Sequence, residues 1–168
     1  MNLKKYIIVS GFVLLVIFGL SLLSCGQKTG AVASKDLAPD FEVEDLKGNP
    51  FKLSSTRGKV VVLNFWSTGC RPCKEEMPQF EGLYNEYKDK GVLFVGVSLA
   101  SPLDTSTFVK EKGLTFPIVT GTREVTSKYG GIQWIPTTFM IDRDGYIDKK
   151  LVGPQSTGAW KRDIEKLL

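Results

Sequence analysis

The chain has 168 residues, of which 42% are apolar, a formal net charge of +4 and no histidine. This length can supply one well-formed hydrophobic core but hardly two, so one main domain is predicted. The absence of histidine excludes Ser–His and Cys–His catalysis and disfavours metal sites, and the absence of a basic run interleaved with aromatic residues gives no indication of nucleic-acid binding.

Residues 1–24 have the features of a bacterial targeting segment. Two lysines precede an apolar stretch at 6–23, which ends in Leu-Leu-Ser before Cys25. This ending resembles the lipobox of bacterial lipoproteins, in which the cysteine is acylated. We predict a lipoprotein signal peptide over 1–24, lipidation at Cys25 and a short polar tether over 25–36. The alternative is an uncleaved membrane anchor of marginal length, and both place the domain outside the cytoplasmic membrane.

The rest of the chain, 37–168, is predicted to form a single domain. Residues 41–43 and 51–53 flank a turn and predict a hairpin. The β-branched and aromatic run at 60–66 is typical of a buried strand. From Pro72 onward, apolar residues recur at three- and four-residue steps among charged ones, which predicts a helix that stops at Gly91.

The second half of the domain continues the alternation of strands and helices. Two strands are predicted at 92–98 and 116–119, with a helix between them that begins at Asp104 as its N-cap. A short helix at 124–129 is followed by a hairpin and by a terminal helix from about Thr157. This order predicts an α/β fold with a central mixed sheet that has helices on both faces.

Cys70 and Cys73 lie where the predicted strand at 60–66 gives way to the helix. Backbone N–H groups and the positive end of the helix dipole stabilise a thiolate at this position, and a thiolate is the species that attacks disulfides. A redox-active pair is therefore predicted, with Cys70 as the more exposed nucleophile. A structural zinc site would need four ligands, which this chain does not supply. An inert structural disulfide is the other alternative.

Four segments in order resemble the TlpA/ResA-like branch of the thioredoxin superfamily, whose members are membrane-tethered thiol–disulfide oxidoreductases of the bacterial envelope. They are Ala38-Pro39-Asp40-Phe41, Val62-Leu63-Asn64-Phe65-Trp66, Cys73-Lys74-Glu75-Glu76-Met77-Pro78 and Trp134-Ile135-Pro136-Thr137-Thr138. The resemblance covers about residues 37–168. It implies a thioredoxin-like fold with an N-terminal β-hairpin extension. It also implies that the Cys70–Cys73 disulfide serves as the redox centre, with no further cofactor and no metal.

The resemblance also implies roles for single residues. Cys70 attacks a partner disulfide and Cys73 resolves the mixed disulfide. Glu76 matches a functional glutamate that tunes the thiols, although on its own a glutamate in a charged run is typical of a solvated surface. Pro136 is expected to be cis and to lie against the dithiol. Trp66, Ile135 and Pro136 are predicted to bind substrate, with Trp66 and Trp134 as aromatic walls for which core packing is an equal alternative.

These expectations combine into one function with two alternatives. We predict a reductant of disulfides in envelope proteins, with the Cys-x-x-Cys-His segment of apocytochromes c as a leading substrate, a CcdA/DsbD-type membrane electron donor and a lipid bilayer contacted through the N-terminus. A thiol peroxidase is one alternative, because peroxiredoxin-like chains share the Ala-Pro-Asp-Phe opening. It is disfavoured because Leu63 and Ser67 replace the Pro and Thr of a Pro-x-x-x-Thr-x-x-Cys site. The other alternative is a lipid-anchored binding protein with an inert disulfide.

Overall fold

A seven-residue strand at the centre of the sheet leads into the cysteine pair. This strand, β3, spans Val60–Trp66, and every residue in it is buried, as suits its β-branched and aromatic composition. It pairs in parallel with β4 (Val92–Ser98) and antiparallel with β6 (Thr137–Ile141). The computed structural model describes residues 35–168.

The remaining strands extend this sheet and form a separate hairpin. β5 (Ile118–Thr120) pairs in parallel with β4, and β7 (Ile147–Val152) pairs antiparallel with β6, which gives the order β5-β4-β3-β6-β7. β1 (Glu42–Glu44) and β2 (Pro50–Lys52) form an antiparallel hairpin before the main sheet. The predicted mixed sheet and the predicted N-terminal hairpin are both confirmed.

Alternate residues of β3 feed two hydrophobic layers, because side chains of a strand point to opposite faces in turn. The helices that cover the sheet are α1 (Arg71–Tyr87), α2 (Pro102–Lys112), α3 (Arg123–Lys128) and α4 (Thr157–Glu165). One layer joins Val60, Val62 and Trp66 to side chains of α1, α2 and α4. The other joins Val61, Leu63 and Phe65 to α3 and to the segment around Phe41. Helices therefore lie on both faces, as predicted.

Three element boundaries differ from the predictions by two residues or more, and the others that differ do so by one. α1 ends at Tyr87 and is followed by a 3-10 turn, Lys88–Lys90, before Gly91 adopts a positive φ of 86°. The N-cap of α2 is Ser101 rather than Asp104, because Ser101 Oγ accepts a hydrogen bond from the Asp104 backbone N–H at 3.1 Å and proline follows at the first helical position. β5 begins at Ile118, two residues later than predicted.

The N-terminal predictions concern residues that are not described. The signal peptide at 1–24, the lipidation site Cys25 and nearly all of the tether at 25–36 lie outside the described residues. Within residues 35–168, no helix combines the length and the apolar composition that crossing a bilayer requires.

Candidate active site

Cys70 and Cys73 form a disulfide at the junction between β3 and α1. Their Cα atoms are 5.3 Å apart. Cys70 is the N-cap of α1, and Pro72 lies in the first turn, where its missing N–H removes no helical hydrogen bond. Cys70 is partly exposed whereas Cys73 is fully buried. The predicted difference in accessibility between the two sulfur atoms is therefore confirmed.

The surroundings of Cys70 stabilise a thiolate only modestly. The backbone N–H of Cys73 lies 3.2 Å from Cys70 Sγ and donates to it, and the positive end of the α1 dipole acts in the same direction. Arg71 donates instead to Glu75, with Nε 2.8 Å from Oε1, and its side chain is 88% exposed. Because solvent and this carboxylate screen the guanidinium, Arg71 contributes little to the charge around the sulfur atoms.

The loop before β6 brings Ile135 and Pro136 to the disulfide. β6 runs antiparallel to β3, and its first residue, Thr137, pairs with Phe65 near the end of β3. The residues just before Thr137 therefore lie beside those that follow β3. The carbonyl oxygen of Ile135 is 3.7 Å from Cys70 Sγ, and the Ile135–Pro136 peptide bond is cis, as predicted.

Glu76 lies one turn after Cys73 on α1 and is only 1% exposed. Its Oε1 accepts hydrogen bonds from the backbone N–H of Gln155 at 3.2 Å and from the indole N–H of Trp160 at 3.3 Å. Its Oε2 is buried and has no hydrogen-bond partner among the described residues. Burial raises the pKa of Glu76 to about 7, and the two donors only partly oppose this effect. The alternative of a solvated surface glutamate is wrong.

Asn64 is a second buried polar residue and lies six positions before Cys70. It lies in β3 and donates from Nδ2 to Thr138 Oγ1 at 2.8 Å. An amide cannot take up a proton at neutral pH. Glu76 is the one carboxyl side chain among the buried polar residues of 35–168. Glu76 is therefore the buried polar side chain of 35–168 that can exchange a proton near neutral pH.

The two tryptophans near the site differ in exposure. Trp66 has no exposed surface and packs against Phe108, with ring centroids 5.4 Å apart. A direct contact between Trp66 and a substrate is therefore not supported, and its packing role explains its position. Trp134 is 72% exposed and lies two residues before Pro136. Of the two predicted aromatic walls, only Trp134 presents a surface to solvent.

Sequence patterns did not identify the two groups that reach Glu76. Trp160 falls within the predicted terminal helix, where nothing in the sequence points to a site, and Gln155 precedes that helix without any signal. They lie 84 and 79 positions from Glu76 along the chain, and local periodicity reports nothing about contacts at such separations. The available signal was chemical, because a buried indole N–H usually needs an acceptor.

Proteins of known family resemble this chain over most of its length. The model of the AhpC/TSA family matches residues 35–150. The thiol-disulfide oxidoreductase ResA of Geobacillus kaustophilus is 42% identical over 143 residues, which make up 84% of this chain and 79% of that protein. ResA of Geobacillus thermodenitrificans is 39% identical over 142 residues, covering 84% of this chain and 81% of its own length.

Solved structures resemble the chain in fold as well. A thiol:disulfide interchange protein of the thioredoxin family from Chlorobium tepidum superimposes with a TM-score of 0.77 at 30% identity, covering 82% of this chain and 99% of that one. StoA from Bacillus subtilis superimposes with a TM-score of 0.66 at 30% identity, covering 76% of this chain and 97% of its own. The predicted thioredoxin-like fold is therefore confirmed.

Proposed function

Because the chain belongs to the AhpC/TSA family and, within it, to the TlpA/ResA-like thiol–disulfide oxidoreductases, we propose that it acts as a reductant of disulfides in proteins of the bacterial envelope. Thiol–disulfide exchange is the activity of the chain, and the direction of electron flow is the proposal. The buried carboxyl of Glu76 is the observation that carries it. A carboxylate near two sulfur atoms disfavours their thiolate forms, which makes the dithiol a better electron donor.

The weak stabilisation of the Cys70 thiolate supports the same direction. Thiol–disulfide proteins that are strong oxidants have a stabilised reduced form. Here Cys70 receives one backbone N–H and the end of a helix dipole, while the nearest cation along the chain, Arg71, is solvated and paired with Glu75. No lysine or arginine is buried among residues 35–168. The balance of charges therefore favours the disulfide form of the pair.

The reduction potential tests the direction of electron flow. The full chain in detergent, equilibrated against glutathione buffers, is expected to have a potential nearer about −270 mV than about −120 mV. Glu76→Gln should make this value less negative, because it removes a charge that destabilises the thiolate. The matched control is Glu75→Gln, which changes an exposed carboxylate one position earlier. A potential near about −120 mV would contradict the role of reductant.

The proposed reaction uses the two cysteines in sequence. Cys70, as a thiolate, attacks one sulfur of the substrate disulfide, and the other substrate sulfur leaves as a thiolate. Cys73 then passes its proton to Glu76 and attacks Cys70 Sγ, which releases the second substrate sulfur. Two electrons reach the substrate and the Cys70–Cys73 disulfide remains. Accessible Cys70 and buried Cys73 suit these two roles.

The partners follow from the family resemblance and from the surface beside Cys70. The main chain at Ile135 and Pro136 adjoins Cys70 Sγ, so a substrate segment that carries a disulfide is proposed to bind along it. The Cys-x-x-Cys-His segment of apocytochromes c is the proposed substrate. A membrane electron donor of the CcdA/DsbD type is proposed to return the pair to its reduced state.

A thiol peroxidase is the weaker second candidate. The AhpC/TSA match over residues 35–150 favours it, but the positions that would carry its Pro and Thr are Leu63, which is buried in β3, and Ser67. The purified chain is therefore expected to reduce insulin disulfides without measurable consumption of peroxide.

The N-terminal sequence supports an envelope location with a lipid anchor. Cys25→Ala is expected to prevent lipid attachment and processing of the signal at this site, because the acylated sulfur is missing. Mass spectrometry of the mature protein measures both outcomes. A mature wild-type chain with an unmodified Cys25 that begins at another residue would overturn the lipoprotein proposal. It would leave the outward orientation of the domain intact, because a simple anchor gives the same orientation.

A further inference from the structure

The two oxygen atoms of the Glu76 carboxyl have different surroundings. Both donors that reach it, the Gln155 backbone N–H and the Trp160 indole N–H, end on Oε1. Oε2 is buried without a hydrogen-bond partner in the described part of the chain. A protonated carboxyl has one O–H group, and an oxygen that already accepts two hydrogen bonds is the poorer place for it. The proton of the acid form therefore belongs on Oε2.

We propose that Trp160 is a positioning residue for this carboxyl: its indole N–H, together with the Gln155 backbone, fixes Oε1 as the acceptor and leaves Oε2 as the oxygen that exchanges a proton with Cys73. The proposal rests on the proposed role of Glu76 in the reduction of disulfides. In the resolving step, the S–H bond of Cys73 breaks and its proton forms an O–H bond at Oε2. The Cys73 sulfur bonds to Cys70 Sγ, the bond between Cys70 Sγ and the substrate sulfur breaks, and the substrate sulfur leaves as a thiolate. The reverse reaction returns the proton.

Trp160 is itself held in place by the core. It has no exposed surface, and its ring meets the ring of Phe80 edge to face, with centroids 5.2 Å apart. A buried aromatic ring has few accessible rotamers, so its N–H keeps a fixed direction. Since Phe80 lies on α1 four residues after Glu76, the same helix carries both the carboxyl and the ring that orients its donor.

The groups that face the Glu76 carboxyl from neighbouring elements are neutral. The loop before α4 supplies the Gln155 backbone and α4 supplies the indole, while Cys73, whose sulfur is in the disulfide, lies one turn earlier on α1. Two charged residues of α4 near Trp160 are engaged elsewhere, since Lys161 pairs with Glu86 and Asp163 pairs with Lys149. Arg162 is not among the groups that shift the pKa of Glu76. The protonation of Glu76 is therefore controlled by burial and by its two donors, and Trp160 is the donor that mutation can remove.

The first test needs no variant, because the chain contains three tryptophans that differ in their surroundings. Indole N–H signals are followed by NMR against pH in the full oxidised chain in detergent. The Trp160 signal is expected to shift with a midpoint near the pKa of Glu76, about 7. Trp66, whose buried Nε1 has no partner among residues 35–168, and exposed Trp134 are internal controls that should not follow this titration. A Trp160 signal without this midpoint would overturn the proposal.

The second test removes the donor and keeps the ring. Trp160→Phe is expected to raise the pKa of Glu76 by about 0.5 to 1 unit, because an N–H that favours the carboxylate is lost. The measurement is the carboxyl-carbon NMR signal of glutamate that titrates near pH 7 and is absent from Glu76→Gln. Ile164→Val is the matched control, since it disturbs the same core layer on the same helix and leaves both the indole N–H and its Phe80 contact in place. If the role of Trp160 is purely structural, the pKa of Glu76 should shift equally in both variants.

Activity measurements separate this proposal from the proposed function. Trp160→Phe should shift the pH profile of insulin reduction in the direction of the new pKa, and this shift should disappear in the Glu76→Gln background. If wild-type protein reduces insulin and Trp160→Phe leaves the profile unchanged in both backgrounds, the positioning role is overturned and the reductase survives. If wild-type protein reduces no disulfide while the Trp160 indole still titrates with Glu76, the proposed function fails and the hydrogen-bond geometry stands.

Discussion

Cys70→Ser is expected to abolish disulfide exchange, whereas Cys73→Ser is expected to yield a protein that accumulates as a mixed disulfide with its target. The difference follows from the position of the two sulfur atoms. Cys70 is partly exposed and its Sγ accepts a backbone N–H, so it is the sulfur that an incoming disulfide can reach. Cys73 is fully buried and can attack only the sulfur beside it. Without Cys73, the intermediate forms and has no intramolecular route to resolution.

Non-reducing electrophoresis with a disulfide-bearing model substrate measures both outcomes. The Cys73→Ser chain should form a covalent adduct that a reductant releases, and its turnover in insulin reduction should be lost. The Cys70→Ser chain should form no such adduct, and neither should the double variant, which is the control for non-specific capture. Full turnover by Cys73→Ser would contradict the two-cysteine mechanism.

The position of the cysteine pair was predictable because its causes are local. A buried strand followed by Cys-x-Pro-Cys at a helix start is written in consecutive residues, and the structure has β3, the capping Cys70 and α1 in that order. The order of strands and helices likewise predicted a sheet with two covered faces. The cis peptide bond at Pro136 was different, because a proline before a strand is ordinary, and only the family resemblance indicated its conformation.

The environment of Glu76 was not predictable from local sequence. Lys74, Glu75 and Glu76 form a charged run that is typical of a solvated helix face, and Glu75 is indeed exposed. Glu76 differs because the C-terminal segment covers it, which is a contact between parts of the chain about 80 positions apart. Trp66 shows the opposite error, since its nearness to the cysteines suggested a substrate contact whereas its place at the end of a central strand buries it completely.

Glu76→Gln is expected to lower the thiol pKa in the reduced protein by about 1 unit. The pKa of Glu76 is about 7, whereas an unperturbed cysteine has a pKa of about 8.5. In the range where the thiol loses its proton, Glu76 is therefore ionised, and its charge opposes a second negative charge nearby. Alkylation rates measured against pH report this titration. A rise in the thiol pKa would mean that Glu76 stays protonated and donates to sulfur. Superimposable curves of alkylation rate against pH for the two proteins would contradict any role of Glu76 in tuning the thiols.

Glu76→Gln is also expected to change the stability of the folded protein. The pH dependence of this change distinguishes the effect of the lost charge from that of damage to the core. Burial raises the pKa of Glu76 from 4.5 to about 7 in the folded protein, so the folded state binds more protons than the unfolded state between these values. Stability therefore falls as the pH rises through this window, by about 3 kcal/mol in all. Glutamine carries no charge, so the variant should gain about this much relative to wild type between about pH 4 and pH 8. Urea unfolding of the oxidised protein measures the gain, and Glu75→Gln should show none, because Glu75 is exposed. A pH-independent difference would mean that the carboxylate of Glu76 is not desolvated, and the argument for a reductant would lose its main support.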